Sequence, residues 1–182
     1  MKHGHGDPTD PVTAIDKEIE EYNLYQQSMQ ETEKWLLQIS FQLMAHNSLY
    51  ITTREHTQQQ LDQHLVLLEQ IKEHQELLDK SRTKGEAQAE RYKESNPDLR
   101  ATIEKQHQNV QESYNSLLQT ATQIKNRLSD SLEKFKEYED TLQSIFENIE
   151  KWEPEINEEL SKPIDNLDIA RSELDNVRVS TF

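Results

Sequence analysis

The chain has 182 residues, with 20 basic against 35 acidic side chains for a net charge of −15, 32% apolar and 7% aromatic residues, and no cysteine. A field of that sign works against phosphate backbones and anionic lipid, so no nucleic-acid partner and no direct membrane contact are expected. Without cysteine there is no disulfide, thiolate zinc site or thiol nucleophile, and a chain held by packing alone suits a reducing, cytoplasmic setting. The longest aliphatic run, Leu65-Val66-Leu67-Leu68, falls far short of the roughly 20 apolar residues a membrane helix needs.

Turn residues are scarce. The three glycines are Gly4, Gly6 and Gly85, and 85 residues separate Pro11 from Pro97 while 56 separate Pro97 from Pro154. A β-rich or α/β chain needs far more punctuation, and the intervening Leu, Glu, Gln, Lys and Ala are helix formers, so the class is all-α. Residues 1–9 share none of this pattern and read as a disordered leader or cloning remnant. Asp10-Pro11 supplies a cap and a ring for the first helical position and opens a first helix. Its seam runs through Tyr22, Tyr25, Met29, Thr32, Leu36, Ile39 and Leu43, with Trp35 beside it.

A short connection follows, in which Leu49, Tyr50 and Ile51 are expected to tuck under the bundle. The Thr-x-x-Glu pattern of Thr52-Thr53-Arg54-Glu55 forms a capping box and opens a second helix. That helix has a seam at Leu61, His64, Leu68, Ile71, Gln75 and Leu78, widened by Leu65, Leu67 and Leu77 to face two partners. Gly85 weakens it by about 1 kcal/mol relative to Ala, which predicts fraying or a bend. Its nearby Lys80, Arg82, Lys84, Arg91 and Lys93 alternate with acids and read as a solvated approach to the loop.

Asn96-Pro97-Asp98 opens a third helix, which the pattern carries to about Trp152. Counting from His107 in alternating steps of three and four gives fifteen seam positions ending at Ile156, among them Val110, Leu117, Ile124, Leu128, Phe135, Leu142 and Ile149. An unslipped repeat of that length keeps one face buried in left-handed packing. At about 1.5 Å per residue, a helix of some 56 residues spans roughly 84 Å, more than one compact domain covers. Ser161-Lys162-Pro163 is expected to open a fourth, shorter helix ending near Val179.

An internal repeat organises these helices. Lys34-Trp35 and Lys151-Trp152 lie 117 residues apart, and that shift lays Tyr25 on Leu142, Met29 on Phe146, Thr32 on Ile149, Ile39 on Ile156 and Leu43 on Leu160. The second half of the long helix is therefore the first helix of a second copy, entered without a break. A three-helix unit with a Trp in its first helix, whose third helix continues into the next unit, resembles the spectrin repeat. The wording Glu33-Lys34-Trp35-Leu36-Leu37-Gln38, followed by Leu43-Met44-Ala45-His46-Asn47-Ser48-Leu49, is most similar to the nesprin-type giant linkers of nuclear envelope and cytoskeleton. Two departures stand beside this: the period is longer than the spectrin one, and the second unit shows a short second helix and no third.

The expected organisation is an antiparallel three-helix spectrin-like repeat over 10–126 and a partial second repeat over 127–182, with Trp35, Leu36, Leu61 and Leu68 in the core beside the seam residues of the third helix. The resemblance implies a rod-like spacer and scaffold, located at the cytoskeleton or the cytoplasmic face of the nuclear envelope and bound to protein partners there. A monomer is expected, with self-association through the open second repeat as the other state the pattern allows.

Catalytic and cofactor chemistry find little support. Glu104-Lys105-Gln106-His107 spells the Glu-x-x-His of di-iron bundles, but such a site needs two of these plus further carboxylates, and His64 lacks its Glu. His46, His56 and His74 are expected near loops or on solvated faces. Met1-Lys2-His3 with His5 could bind Cu²⁺ incidentally. No phosphate loop or nucleophile motif occurs. The expectation is a non-enzyme with no catalytic residue, no cofactor and no metal.

Residues 127–182 hold 7 basic and 15 acidic side chains, a net −8. Glu153, Glu155, Glu158 and Glu159 crowd around Pro154, beside Phe146 and Trp152. A solvated repeat end accounts for them. The alternative is a protein-recognition module in which these six residues and the inter-repeat junction bind a basic surface of an actin regulator or motor adaptor.

Overall fold

Two caps and one loop fix where the helices begin. The Asp10 carboxylate accepts from Val12 N–H (3.2 Å) with Pro11 at the first helical position, and the Thr53 hydroxyl accepts from His56 N–H (3.1 Å). The computed structural model describes residues 10–48, 50 and 53–180, leaving aside the side chains of 162–167 and 179–180. Among the described residues there are three helices, α1 (Pro11–Asn47), α2 (Arg54–Arg91) and α3 (Leu99–Ser180), and no strand. The second cap is therefore Thr53, with His56 in the third helical position, while the expected box between Thr52 and Glu55 falls on Thr52, outside the described residues. Residues 1–9, Leu49, Ile51 and Thr52 lie outside the described residues. Tyr50 is 86% exposed and does not tuck under the bundle.

The chain divides into two units, Met1–Leu132 and Glu133–Phe182. The first is a three-helix bundle. Contacts between α1 and α3 keep a nearly constant separation along the chain, 82 residues for Tyr25 to His107 and 80 for Asn47 to Arg127, so the two helices run parallel. Contacts between α1 and α2 shrink towards the loop, from 70 residues for Glu21 to Arg91, through 53 for Ser28 to Ser81, to 18 for His46 to His64, so α2 is antiparallel.

The apolar seams meet in a single core. Tyr25, Met29, Leu36, Ile39 and Leu43 of α1 pack with Leu67, Leu68, Ile71 and Leu78 of α2 and with Ile103, Val110, Tyr114, Ala121, Ile124 and Leu128 of α3. Each large aliphatic side chain so buried contributes about 1.5–3 kcal/mol, which is what holds a cysteine-free bundle together. Trp35, Leu61 and Leu117 are half-buried at its margin. Leu67 turns inward while Leu65 and Leu77 stay exposed, so the stripe of α2 is narrower than expected.

Polar cross-links set the register inside that core. Tyr114 Oη donates to the Ile71 carbonyl (2.8 Å), Gln75 and Gln111 exchange amide hydrogen bonds (3.2 and 2.9 Å), and His64 Nε2 donates to the Ala121 carbonyl (2.6 Å). His46 Nδ1 lies 2.9 Å from His64 Nδ1, and Arg127 donates to the Asn47 carbonyl and side chain and to the His46 carbonyl. The Trp35 and His74 rings stack 3.5 Å apart at 6°. His46 lies near the loop as expected, one residue before the end of α1, whereas His74 is mid-helix and not on a solvated face; both are half-buried between helices, because a hairpin centred near residue 55 brings them opposite His64 and Trp35. His56 is exposed.

Two further expectations change. α3 starts at Leu99, after a turn at 97–98, and then runs unbroken for 82 residues through Pro154 and Pro163 to Ser180. No fourth helix opens at Ser161. Proline removes one ladder hydrogen bond but already has a helical φ, and on an exposed stretch the freed carbonyl turns to water. The second unit accordingly has no helix folded back on it among the described residues. Phe135 is half-buried, and Leu142 and Ile149, expected in the core, are 54% and 51% exposed because nothing in this unit covers them.

α2 runs on through Gly85 without fraying there. Gly85 is buried against α1 and α3, and a Cβ built there would stand 2.6 Å from His107 Nε2, 2.9 Å from Ile103 Cγ2 and 3.0 Å from Tyr25 Oη. Alanine would gain about 1 kcal/mol of helix propensity, against about 1–3 kcal/mol of overpacking with three neighbours to displace at once. Gly85→Ala is therefore expected to lower the stability of the bundle in urea titration and Gly85→Val to lower it further. Lys84→Ala next door should stay within about 0.5 kcal/mol of the parent.

Candidate interaction face on the third helix

An α-helix places residues three, four and seven apart on one side. Along α3 of the second unit, Leu142, Ile145, Phe146, Ile149, Trp152, Ile156 and Leu160 follow that spacing, and all are exposed, Phe146 at 62% and Trp152 at 52%. An apolar stripe with this spacing is the same pattern that α1 buries through Tyr25, Met29, Thr32, Leu36, Ile39 and Leu43. Here it meets water.

The four acids singled out with Phe146 and Trp152 are all exposed, yet the helix does not gather them into one patch. Glu153 stands four residues after Ile149 and three before Ile156, within the apolar stripe. Glu159 stands seven after Trp152 and borders it. Glu155, three after Trp152 and four before Glu159, flanks the same edge, and Glu158 lies on the opposite side of the helix. The face available to a partner is thus apolar, with one carboxylate inside it and two along one edge, and Glu158 on the solvated far side.

No group of three or more His, Asp or Glu that could hold a metal ion occurs among the described residues, and no described helix is long and apolar enough to cross a membrane. The Glu104 and His107 pair is not a ligand set: His107 Nε2 lies 2.9 Å from the Tyr25 hydroxyl at the bundle seam. Burial pushes the Tyr25 phenol up to about 12, so it stays protonated as a partner for that imidazole. Met1, His3 and His5 lie outside the described residues. Of the basic side chains near Gly85, Arg91 is engaged with Glu21, Arg82 with Glu86 and Lys93 with Glu90, which also takes Arg100.

No family model matches this chain, and no solved structure matches it. The chain is similar to the muscle-specific protein 300 kDa of Drosophila melanogaster, with 56% identity over 163 residues. That alignment covers 90% of this chain and 1% of the fly protein, so the chain spans about one hundredth of the relative it matches. What the likeness describes is a segment of a very long muscle protein.

The contrast between the two stripes has a measurable consequence. Leu36→Ala in the bundle is expected to cost about 2–5 kcal/mol in chemical denaturation. Trp152→Ala, which removes more apolar surface from an exposed position, should leave the midpoint of that transition within about 0.5 kcal/mol. Intrinsic fluorescence of Trp35 follows the first variant and circular dichroism follows both.

Proposed function

We propose that this chain is a spectrin-like repeat segment of a giant cytoskeletal linker, acting as spacer and scaffold and carrying no catalytic activity. The observation that supports it best is the continuity of α3: one helix closes a complete bundle and then goes on to present, exposed, the spacing that α1 uses to dock on α2 and α3. A stripe of this kind fits a helix that awaits two neighbours supplied by the next repeat. The likeness to a segment of a very long muscle protein agrees with a place in an array and with a cytoskeletal setting. Association with the nuclear envelope rests on the wording around Trp35 alone.

A unit that spaces other elements apart works through rigidity. A continuous helix is a stiffer element than a Gly/Ser linker, which behaves as a random coil. The recognition alternative draws on Glu153 and Glu159 beside the exposed Phe146 and Trp152, a combination that would take a partner with apolar anchors and basic edges.

Hydrogen exchange on this chain and on one extended into the following parent sequence tests the repeat assignment. Amides of 135–160 should exchange fast here and become protected in the longer chain, with Leu142 and Ile149 covered. Equal exchange in both chains would overturn it. Titration with basic amphipathic peptides at low and high salt separates the two functions: a spacer gives no saturable signal, whereas a recognition module gives saturable binding that weakens with salt.

A further inference from the structure

Three of the contacts that fasten α1 to the rest of the bundle run through an imidazole. Near the start of α1 the Tyr25 hydroxyl meets His107 Nε2 of α3, in its middle Trp35 stacks on His74 of α2, and at its end His46 meets His64 of α2. The contacts between α2 and α3 differ in kind. Tyr114 with the Ile71 carbonyl and Gln75 with Gln111 carry no group that titrates near neutrality, and the His64 Nε2–H bond to the Ala121 carbonyl survives in either charge state of the ring.

Proton positions in the histidine pair follow from its partners. A carbonyl only accepts, so His64 Nε2 carries a proton, and in the neutral ring its Nδ1 is bare. His46 Nδ1 must then be the donor across the 2.9 Å gap. A first added proton can sit on His46 Nε2. A second would have to go on His64 Nδ1, against the His46 N–H, and would break the contact. From α3 the guanidinium of Arg127, bonded to the His46 carbonyl and to Asn47, adds positive charge at this end.

At the other end His107 is faced by Tyr25 from α1 and by Arg82 and Glu86 from α2, with Glu104 and Arg100 on its own helix lining the same groove. In its Nδ1–H tautomer the neutral ring accepts a hydrogen bond at Nε2 from the buried phenol. An imidazolium there must donate instead, turning the hydroxyl hydrogen away towards the tight approach at Gly85. In the middle, Trp35 faces His74 from α1, and the buried His74 Nε2 has no hydrogen-bond partner. An imidazolium over an indole gains cation–π attraction, which offsets part of the burial penalty, so the two end contacts carry the argument.

We propose that α1 is the acid-labile helix of this bundle, and that mild acidification loosens it from an α2–α3 pair that remains docked. The direction is fixed by linkage. Burial, with His64 beside His46 and Arg82 beside His107, holds His46 and His107 below the ordinary histidine value, and burial does the same to His74. Below the undocked value of about 6.5 the released helix and its partners bind more protons than the docked state. Docking is therefore full above that pH and weakens as pH falls from it towards the depressed values. The Glu21–Arg91 ion pair, whose carboxylate is held low by its hydrogen bond to Arg91, does not titrate in this window and keeps a pH-independent tether.

Native-state hydrogen exchange of the whole chain at pH 7.5, 6.5 and 5.5, corrected for intrinsic rates, tests this. The opening constant of α1 core amides around Met29 and Ile39 is expected to rise about tenfold or more across the range, each unit of depression giving up to tenfold. Amides around Ile71 and Val110 should rise clearly less. In His46→Gln/His107→Gln the α1 response should flatten, and either single variant should flatten it in part, which keeps the test decisive if the double variant folds poorly. A pH-independent α1, a parallel rise in all three helices, or an undiminished response in the glutamine variants would overturn the proposal.

Discussion

The seam of α3 is the constraint on which the molecule turns. Over Leu99–Leu128 its apolar positions are buried or half-buried against α1 and α2, and from Tyr138 onward the same residue types at the same spacing face water. Nothing in the helix itself distinguishes the two stretches, since a three-and-four repeat of Leu, Ile, Tyr and Phe asks for partners wherever it runs. The loops at 48–53 and 92–98 decide which stretch is satisfied, because they return α2 along α1 and then send α3 back beside both. Exposed apolar surface of the extent left beyond Phe135 is the kind that marks an interaction site.

Burial explains why the bundle holds, but not why it holds in one register. A heptad seam can slide by seven residues and still bury Leu on Leu. The polar cross-links forbid that. His64 and Ile71 on α2 are seven apart, as are their acceptor and donor, Ala121 and Tyr114, on α3, so two successive heptads of this interface each carry a hydrogen bond. Gln75 with Gln111 adds a third. Slipping the helices would leave a buried phenol, imidazole and carbonyl unpaired, at about 1–3 kcal/mol each, which is more than the slide would recover. Gly85 works towards the same end by sterics, since only the observed register puts the residue without a side chain against His107, Ile103 and Tyr25.

Much of this was legible in the sequence, and what was not has a common cause. The helical class, the seams of α1 and α3 and the buried Val110, Ile124 and Leu128 follow from periodicity, which reports on one helix at a time. Leu142 and Ile149 obey the same periodicity and are exposed, because a seam states a demand for partners and cannot show whether they are present. The expected break at Ser161 is absent: Ser161-Lys162-Pro163 fits a helix opening, yet the backbone of α3 runs on through it, a proline having a helical φ already while it gives up its N–H bond and crowds the carbonyl four residues back. Gly85 was read for propensity, when a close approach of three helices decides its role. His46 and His74 lay beyond reach because their partners are 18 residues away for His64 and on another helix for Trp35; only the pairing of α1 with α2 about their loop brings them together.

The charge of the chain acquires a more particular meaning once the helix register is known. The net −15 suggested an acidic docking patch around Pro154. Glu158 lies on the far side and Glu155 and Glu159 along one edge, while Glu153 stands inside the apolar stripe between Ile149 and Ile156. A helix pair covering that stripe would bury a carboxylate unless it brought a cation or left the position at a wet edge, because an unpaired buried charge costs more than the neighbouring apolar contacts return. α1 meets the same problem with Leu36, an apolar residue, at the position that Glu153 takes in the repeat alignment. Whatever covers the second stripe therefore differs from the α2–α3 pair at that point, and the position of one carboxylate constrains the partner more sharply than the total charge does.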